Sequence, residues 1–215
     1  ANETMKHYLA GDFATRLIAW QKCHGRHDLP WQQARTPYRV WLSEIMLQQT
    51  QAATVAPYFL RFVERFPDLA ALAAASEDDV LALWSGLGYY SRARNLLACA
   101  RRVVADHAGV FPADPAALVE LPGVGRSTAA AIAAQAYGVR AAILDGNVKR
   151  VLARHAGIAG WPGVRAVETA LWQTAEARLP DADCAAYTQA MMDLGALVCT
   201  RTRPACARCP VAADC

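Results

Sequence analysis

Apolar residues recur at helical spacing along most of the chain. After Asp12, the residues Phe13, Leu17 and Trp20 fall at i, i+4 and i+7, which places them on one face of a helix. Thr36 followed by Pro37 is a helix start, because the hydroxyl caps and proline is pre-set for the first turn. The helix it opens is expected from Tyr38 to about Thr50. Val55, Phe59, Phe62 and Phe66 mark the next, which stops at Pro67. Ser76-Glu77-Asp78-Asp79 opens another that buries Val80, Leu83 and Trp84. Ser91 begins a helix carrying Leu96, Leu97, Val103 and Val104, closed near Gly109. Asp114-Pro115 starts a short helix ending at Leu121, and an alanine-rich helix follows to about Tyr137, where Gly138 ends it. Two or three more helices fill Gly146 to Val198. Two segments break the pattern: a turn-rich stretch from His24 to Gln33, and Gly86-Leu87-Gly88-Tyr89-Tyr90. No alternating pattern of useful length signals a strand, so the expected fold class is all-α.

Composition narrows the picture. With 215 residues, 54% of them hydrophobic, the chain can bury a full core. A net charge of +3 is too mild to announce nucleic-acid binding by itself, so any basic face must come from clustering. No run of 18 uncharged apolar residues predicts a membrane span, and Ala1 to Lys22 lacks the features of a signal peptide. Of seven cysteines, Cys23, Cys99 and Cys184 are scattered, whereas Cys199, Cys206, Cys209 and Cys215 crowd into the C-terminal end. Scattered thiols plus one tight cluster point to a reducing cytoplasm and a metal site rather than a disulfide framework.

Three features carry chemistry. In Leu121-Pro122-Gly123-Val124-Gly125, two glycines between helices permit positive φ and close backbone approach. The loop N–H groups and the next helix N-terminus then suit a DNA phosphate, and the wording resembles the helix–hairpin–helix backbone clamp; an ordinary tight corner is the alternative. The four clustered cysteines fit either a tetrahedral zinc ion or a four-iron–four-sulfur cluster, and spacing alone leaves both open. Finally, Glu44 lies among large apolar residues, where burial would favour its neutral form and suit a general acid. Asp145 ends the apolar run Ile143-Leu144 and precedes a helix, so it reads as an N-cap as well as a candidate catalytic carboxylate.

From Leu29 to Cys215 the sequence resembles MutY-type adenine DNA glycosylases of the endonuclease III superfamily. The resemblance is carried by Trp41 to Gln51, Trp84 to Asn95, Leu121 to Thr128, Ile143 to Val151 and Gln189 to Thr200. It implies two helical lobes, residues 22–138 with the hairpin and residues 1–21 plus 139–215 with the cluster loop, and an active site in the cleft between them. The 6-2-5 cysteine spacing then implies a [4Fe-4S] cluster read as a structural staple, with Arg201, Arg203 and Arg208 near it. The implied substrate is duplex DNA carrying adenine opposite 8-oxoguanine or guanine. Excision would follow base flipping by a cytoplasmic, nucleoid-associated monomer.

The same resemblance implies residue roles. Glu44 protonates the departing adenine, Asp145 stabilises the sugar cation from a helix N-terminus that keeps it ionised, and Asn147 positions groups and water. Gln49 and Tyr89 wedge into the vacated stack, and Leu29, Trp31 and Gln189 surround the flipped base. Gly123, Val124 and Gly125 hold the DNA backbone. Ser127 stands where lyase-active relatives carry a lysine, so strand cleavage is not expected; Lys149 is the nearest amine for accidental Schiff-base chemistry. Most such proteins continue into a second domain that helps recognise 8-oxoguanine. The sequence ends at Cys215, so base removal is expected without tight discrimination. Alternatives are a thymine or uracil mismatch glycosylase on the same scaffold and a non-catalytic lesion-binding module.

Overall fold

The computed structural model describes residues 11–215, which form helices and turns with no strand among the described residues. They fall into two compact units, one of residues 27–137 and one built from the N-terminal residues to Arg26 and from Gly138–Cys215.

The first unit holds α2 (Pro37–Leu47), α3 (Ala52–Arg65), α4 (Leu69–Ala73), α5 (Glu77–Trp84), α6 (Ser91–Asp106), α7 (Pro115–Val119) and α8 (Arg126–Tyr137). Local chemistry sets their starts. The Thr36 hydroxyl accepts from the Arg39 N–H at 3.2 Å, and Ser76 Oγ accepts from the Asp79 N–H at 3.1 Å, so both expected caps form. Asp68 caps α4, a short helix that the hydrophobic pattern does not resolve. The core is aromatic. Phe62 meets Phe66 and Trp84 edge-on at 5.5 and 5.9 Å, and Trp41 is fully buried against Phe111. Helix α8 presents Ala129 to Ala134 as a continuous buried run, all alanine except Ile132, and packs on α2 and α7.

Helix α2 is shorter than the pattern predicts. It ends at Leu47 rather than Thr50, because Gln49 adopts a left-handed conformation with φ 56°. The apolar pattern does stop at Leu47, where the polar run Gln48 to Gln51 begins, but that run alone does not fix the left-handed turn.

The second unit holds α1 (Phe13–His24), α9 (Gly146–His155), α10 (Arg165–Ala177) and α11 (Cys184–Leu197). Asp12 caps α1 by accepting from the Thr15 N–H at 2.9 Å. Helix α11 packs on both α1 and α9. Its approach to α9 depends on Gly195: a Cβ there would stand 2.7 Å from the Asn147 Cβ, so only glycine lets the two backbones close up. No helix among the described residues is long and apolar enough to cross a membrane.

Candidate active site

Glu44 occupies the last turn of α2. It is half-buried rather than enclosed by its apolar neighbours, and Oε1 accepts from Gln135 Nε2 of α8 at 2.8 Å. Gln135 escapes a reading by motif, although one amide after the apolar, alanine-rich run Ala129 to Ala134 is a visible anomaly.

Asp145 caps α9, its Oδ1 accepting from the Val148 N–H at 2.8 Å, so the N-cap reading holds. Burial pushes its carboxyl above the ordinary value, against the opposing pull of the Val148 and Asn147 N–H groups and the Arg150 charge. Sequence reasoning lets the helix N-terminus keep this group readily ionised; in the structure desolvation outweighs the helix. Two residues on, Asn147 Oδ1 accepts from Arg150 Nη2 at 2.9 Å, which fixes the amide with its NH2 away from the arginine. Arg150 also donates to the Gly195 and Cys199 carbonyls at 2.6 and 2.8 Å. Lys149, the one candidate amine, pairs with Glu168 at 2.8 Å.

The residues expected around a flipped base differ in exposure. Leu29 is half-exposed, and its N–H is held by Gln32 Oε1 at 3.1 Å. Trp31 is buried and stands edge-on to Phe59 at 5.6 Å, so most of its ring serves packing. Arg39 pins this segment through the Pro30 carbonyl at 3.2 Å. Gln189 is buried in the other unit and donates to Asp193 Oδ1 at 2.9 Å, which leaves its carbonyl oxygen to accept elsewhere. Asp193 has no exposed surface and also takes the Arg26 N–H, Arg26 Nε and Gln21 Nε2. This buried carboxylate, spread over residues far apart in the chain, carries no local sequence signal.

Gln49 and Tyr89 are both exposed, and both hold positive φ, 56° and 49°. Left-handed backbone at a non-glycine residue is costly and concentrates at functional positions. Between α7 and α8 the hairpin presents Gly123 and Gly125 to solvent while Val124 turns inward, so Val124 offers backbone only. Gly123 has φ 77°, and a Cβ there would lie 2.9 Å from the Asn95 Cβ. Ser127 sits half-exposed in the first turn of α8, and no lysine occupies that turn.

The four clustered cysteines follow α11, with turns at Cys206–Arg208 and Ala212–Asp214 between them. No cysteine among the described residues forms a disulfide. Burial pushes the Cys209 thiol up, and the neighbouring Cys199, Cys215 and Cys206 push it further. Four cysteines in one loop are by chemistry a donor set suited to an iron–sulfur cluster. Arg154 steadies the loop through Cys199 Sγ and the Thr200 and Arg201 carbonyls, at 3.4, 2.8 and 2.9 Å. Among the described residues no group of three or more His, Cys, Asp or Glu side chains is arranged to hold a metal ion.

Residues 42–177 match the HhH-GPD superfamily of base excision DNA repair proteins. This chain belongs to the HhH-GPD superfamily. Within it, an adenine DNA glycosylase from Buchnera aphidicola subsp. Acyrthosiphon pisum is 43% identical over 203 residues, 94% of this chain and 58% of the relative. The chain thus spans less than two thirds of the curated relatives it matches. Two HhH-GPD-like solved structures share the fold. A thermostable thymine-DNA glycosylase superposes with TM-score 0.84 at 28% identity, covering 100% of this chain and 96% of the other. A non-covalent endonuclease III–DNA complex gives 0.72 at 25%, covering 84% and 83%. The all-helical expectation and the hairpin assignment both agree with membership.

Proposed function

We propose that this chain is a monofunctional adenine DNA glycosylase that hydrolyses the N-glycosidic bond of adenine mispaired with 8-oxoguanine or guanine. The observation that carries the reading is the pair of carboxylates held in unlike settings. Glu44 lies in the last turn of a helix and accepts from a side-chain amide, while Asp145 caps a helix start, is gripped by backbone N–H groups and has its carboxyl raised by burial. Two carboxylates in unlike environments are the requirement of glycosidic cleavage, where one delivers a proton and the other meets a developing cation.

The base must first leave the stack. The hairpin at Gly123–Gly125 holds the backbone through phosphate contacts that are blind to sequence. Gln49 and Tyr89 fill the gap left by the extruded nucleotide. Glu44 donates a proton to the adenine ring, so the base departs neutral. Asp145, as its carboxylate, faces the sugar as positive charge builds there, and Asn147 helps place the attacking water. Leu29, Trp31 and Gln189 contact the extruded base. With Ser127 in the first turn of α8 and Lys149 tied to Glu168, no amine is poised to attack C1′, so the product is an abasic site in an intact strand.

Cys199, Cys206, Cys209 and Cys215 would hold a [4Fe-4S] cluster. It supplies a rigid staple for the loop bearing Arg201, Arg203 and Arg208. The protein works as a monomer on chromosomal DNA, in the cytoplasm and at the nucleoid. Thymine excision is the second reading, favoured by the overlay on a thymine-DNA glycosylase. The 28% identity there against 43% to an adenine glycosylase ranks it lower.

Single-turnover base release from a duplex with adenine opposite 8-oxoguanine, read with and without hot alkali, tests the proposal. Breaks only after alkali are expected. Breaks without alkali would restore a lyase reading, and release from a T·G duplex instead would make thymine the substrate.

A further inference from the structure

We infer that Arg92 is a positioning residue that fixes the two wedge loops in register with each other and with the phosphate-binding hairpin before DNA arrives. The inference rests on the reading of Gln49 and Tyr89 as the wedge. Arg92 is 8% exposed, near the start of α6. Its guanidinium donates to five backbone carbonyls from two separate segments. Nη1 reaches Ile45, Met46 and Gln48 at 3.3, 2.7 and 2.6 Å, closing the C-terminal end of α2. Nη2 reaches Leu87 and Gly88 at 3.3 and 3.2 Å. One segment leads directly into Gln49 and the other into Tyr89, two of the five exposed non-glycine residues with left-handed backbone among the described residues.

The charge of Arg92 has no carboxylate partner among the described residues. It is met by carbonyl dipoles, including the negative end of α2, and by the faces of Trp84 and Tyr89 at 5.2 and 5.5 Å. Its Nε–H is buried without a partner, which a residue chosen for stability alone would avoid. The fork of the guanidinium explains the choice: its two terminal nitrogens point at different loops, and a lysine ammonium cannot span both. The next link is Gln48, whose carbonyl accepts from Arg92. Its Nε2 donates to the Gly123 carbonyl at 3.2 Å and to Thr128 Oγ1 at 3.3 Å. A continuous path therefore runs from the Leu87–Gly88 turn through Arg92 and Gln48 to the hairpin.

The test compares wild type with Arg92→Lys, Arg92→Met, Gln48→Leu and the double variant Gln49→Ala, Tyr89→Ala. The readouts are affinity for duplex DNA, single-turnover adenine release, and fluorescence of 2-aminopurine placed beside the target adenine to report unstacking. Both Arg92 variants are expected to bind duplex within about threefold of wild type yet lose roughly tenfold or more in unstacking amplitude and release rate. Lysine is expected not to rescue, because it keeps the charge and loses the span. Gln48→Leu is expected to show a smaller loss, about threefold, with an unchanged melting temperature. It decides the matter alone if neither Arg92 variant folds. Full unstacking in Arg92→Lys, or in Gln48→Leu when it stands alone, overturns the inference. If the double wedge variant itself unstacks normally, the wedge reading fails; if only that variant is impaired, this inference fails and the wedge reading stands.

Discussion

Gln135 Nε2 donates to Glu44 Oε1 at 2.8 Å, from the last turn of α8 to the last turn of α2. The contact helps to hold the Glu44 carboxyl in place. The alanine run beside Gln135 brings α8 close enough to α2 for a short amide to reach.

Glu44→Gln is therefore expected to bind duplex normally and to lose roughly a hundredfold or more in adenine release, the usual scale for removing a general acid. Gln135→Leu keeps the acid and loses its orientation, so a loss of about tenfold is expected. Quench-flow base release on the two variants checks both. Near wild-type turnover of Glu44→Gln would remove Glu44 from the chemistry.

The hairpin glycines separate two effects. Gly125 has ordinary φ and open space where a Cβ would go, so Gly125→Asp should fold normally. Its carboxylate would sit beside the N-terminus of α8, and if the hairpin takes a DNA phosphate as proposed, affinity for any duplex should fall about tenfold with a shallower salt dependence. Gly123→Ala meets both positive φ and the Asn95 side chain, so it should also lower the melting temperature. Titrations at several salt concentrations, beside thermal melts, distinguish them. Equal affinity for Gly125→Asp and wild type would mean that the hairpin does not grip DNA.

The cysteines divide by environment. Burial pushes the Cys99 thiol up to about 12, so Cys99 should resist maleimide in the native protein and react on unfolding. Exposed Cys23 should react at once. If the C-terminal four hold a cluster, they stay unreactive until it is removed, the protein is brown, and iron is recovered at about four per chain. Cys209→Ser should lose the colour and raise protease sensitivity beyond Val198. A colourless protein with about one zinc per chain would replace the cluster by a zinc site.

What was legible in the sequence follows the range over which each feature is specified. Caps at Thr36, Ser76 and Asp145 bond within three residues, so local patterns display them. The hairpin glycines are visible for the same reason. The Gln135–Glu44 bond spans 91 positions, and the Arg92 contacts with the end of α2 span 44 to 47. No spacing rule reaches that far. The left-handed turn at Gln49 lies in the polar run Gln48 to Gln51, which ends the apolar pattern without revealing that Arg92 binds the carbonyls beside it. The raised carboxyl of Asp145 has a similar origin: an N-cap is read from three residues, whereas desolvation comes from everything packed around it.

Asp145 gives the sharpest dependence on pH. Its carboxyl is raised above 3.8 by burial, so the folded state favours the protonated form. For a raised acid, the stabilising contribution is fully present below the unfolded value and is lost as pH rises through the folded one. At neutral pH the ionised group is thus a cost to folding. Asp145→Asn removes that cost while keeping an oxygen able to accept from the Val148 N–H, since asparagine caps helices about as well as aspartate. The variant is expected to melt above wild type at pH values above the folded-state titration and to approach it as pH falls towards the ordinary value of 3.8, while adenine release drops by roughly two orders of magnitude or more. Wild-type release should itself decline on the acid side as the carboxylate is protonated, with a midpoint above 3.8. Melting curves of both proteins across this range, beside single-turnover rates, provide the check. A melting difference that does not change with pH would mean that Asp145 carries no desolvation cost, and an active Asp145→Asn would leave the cap as its whole role.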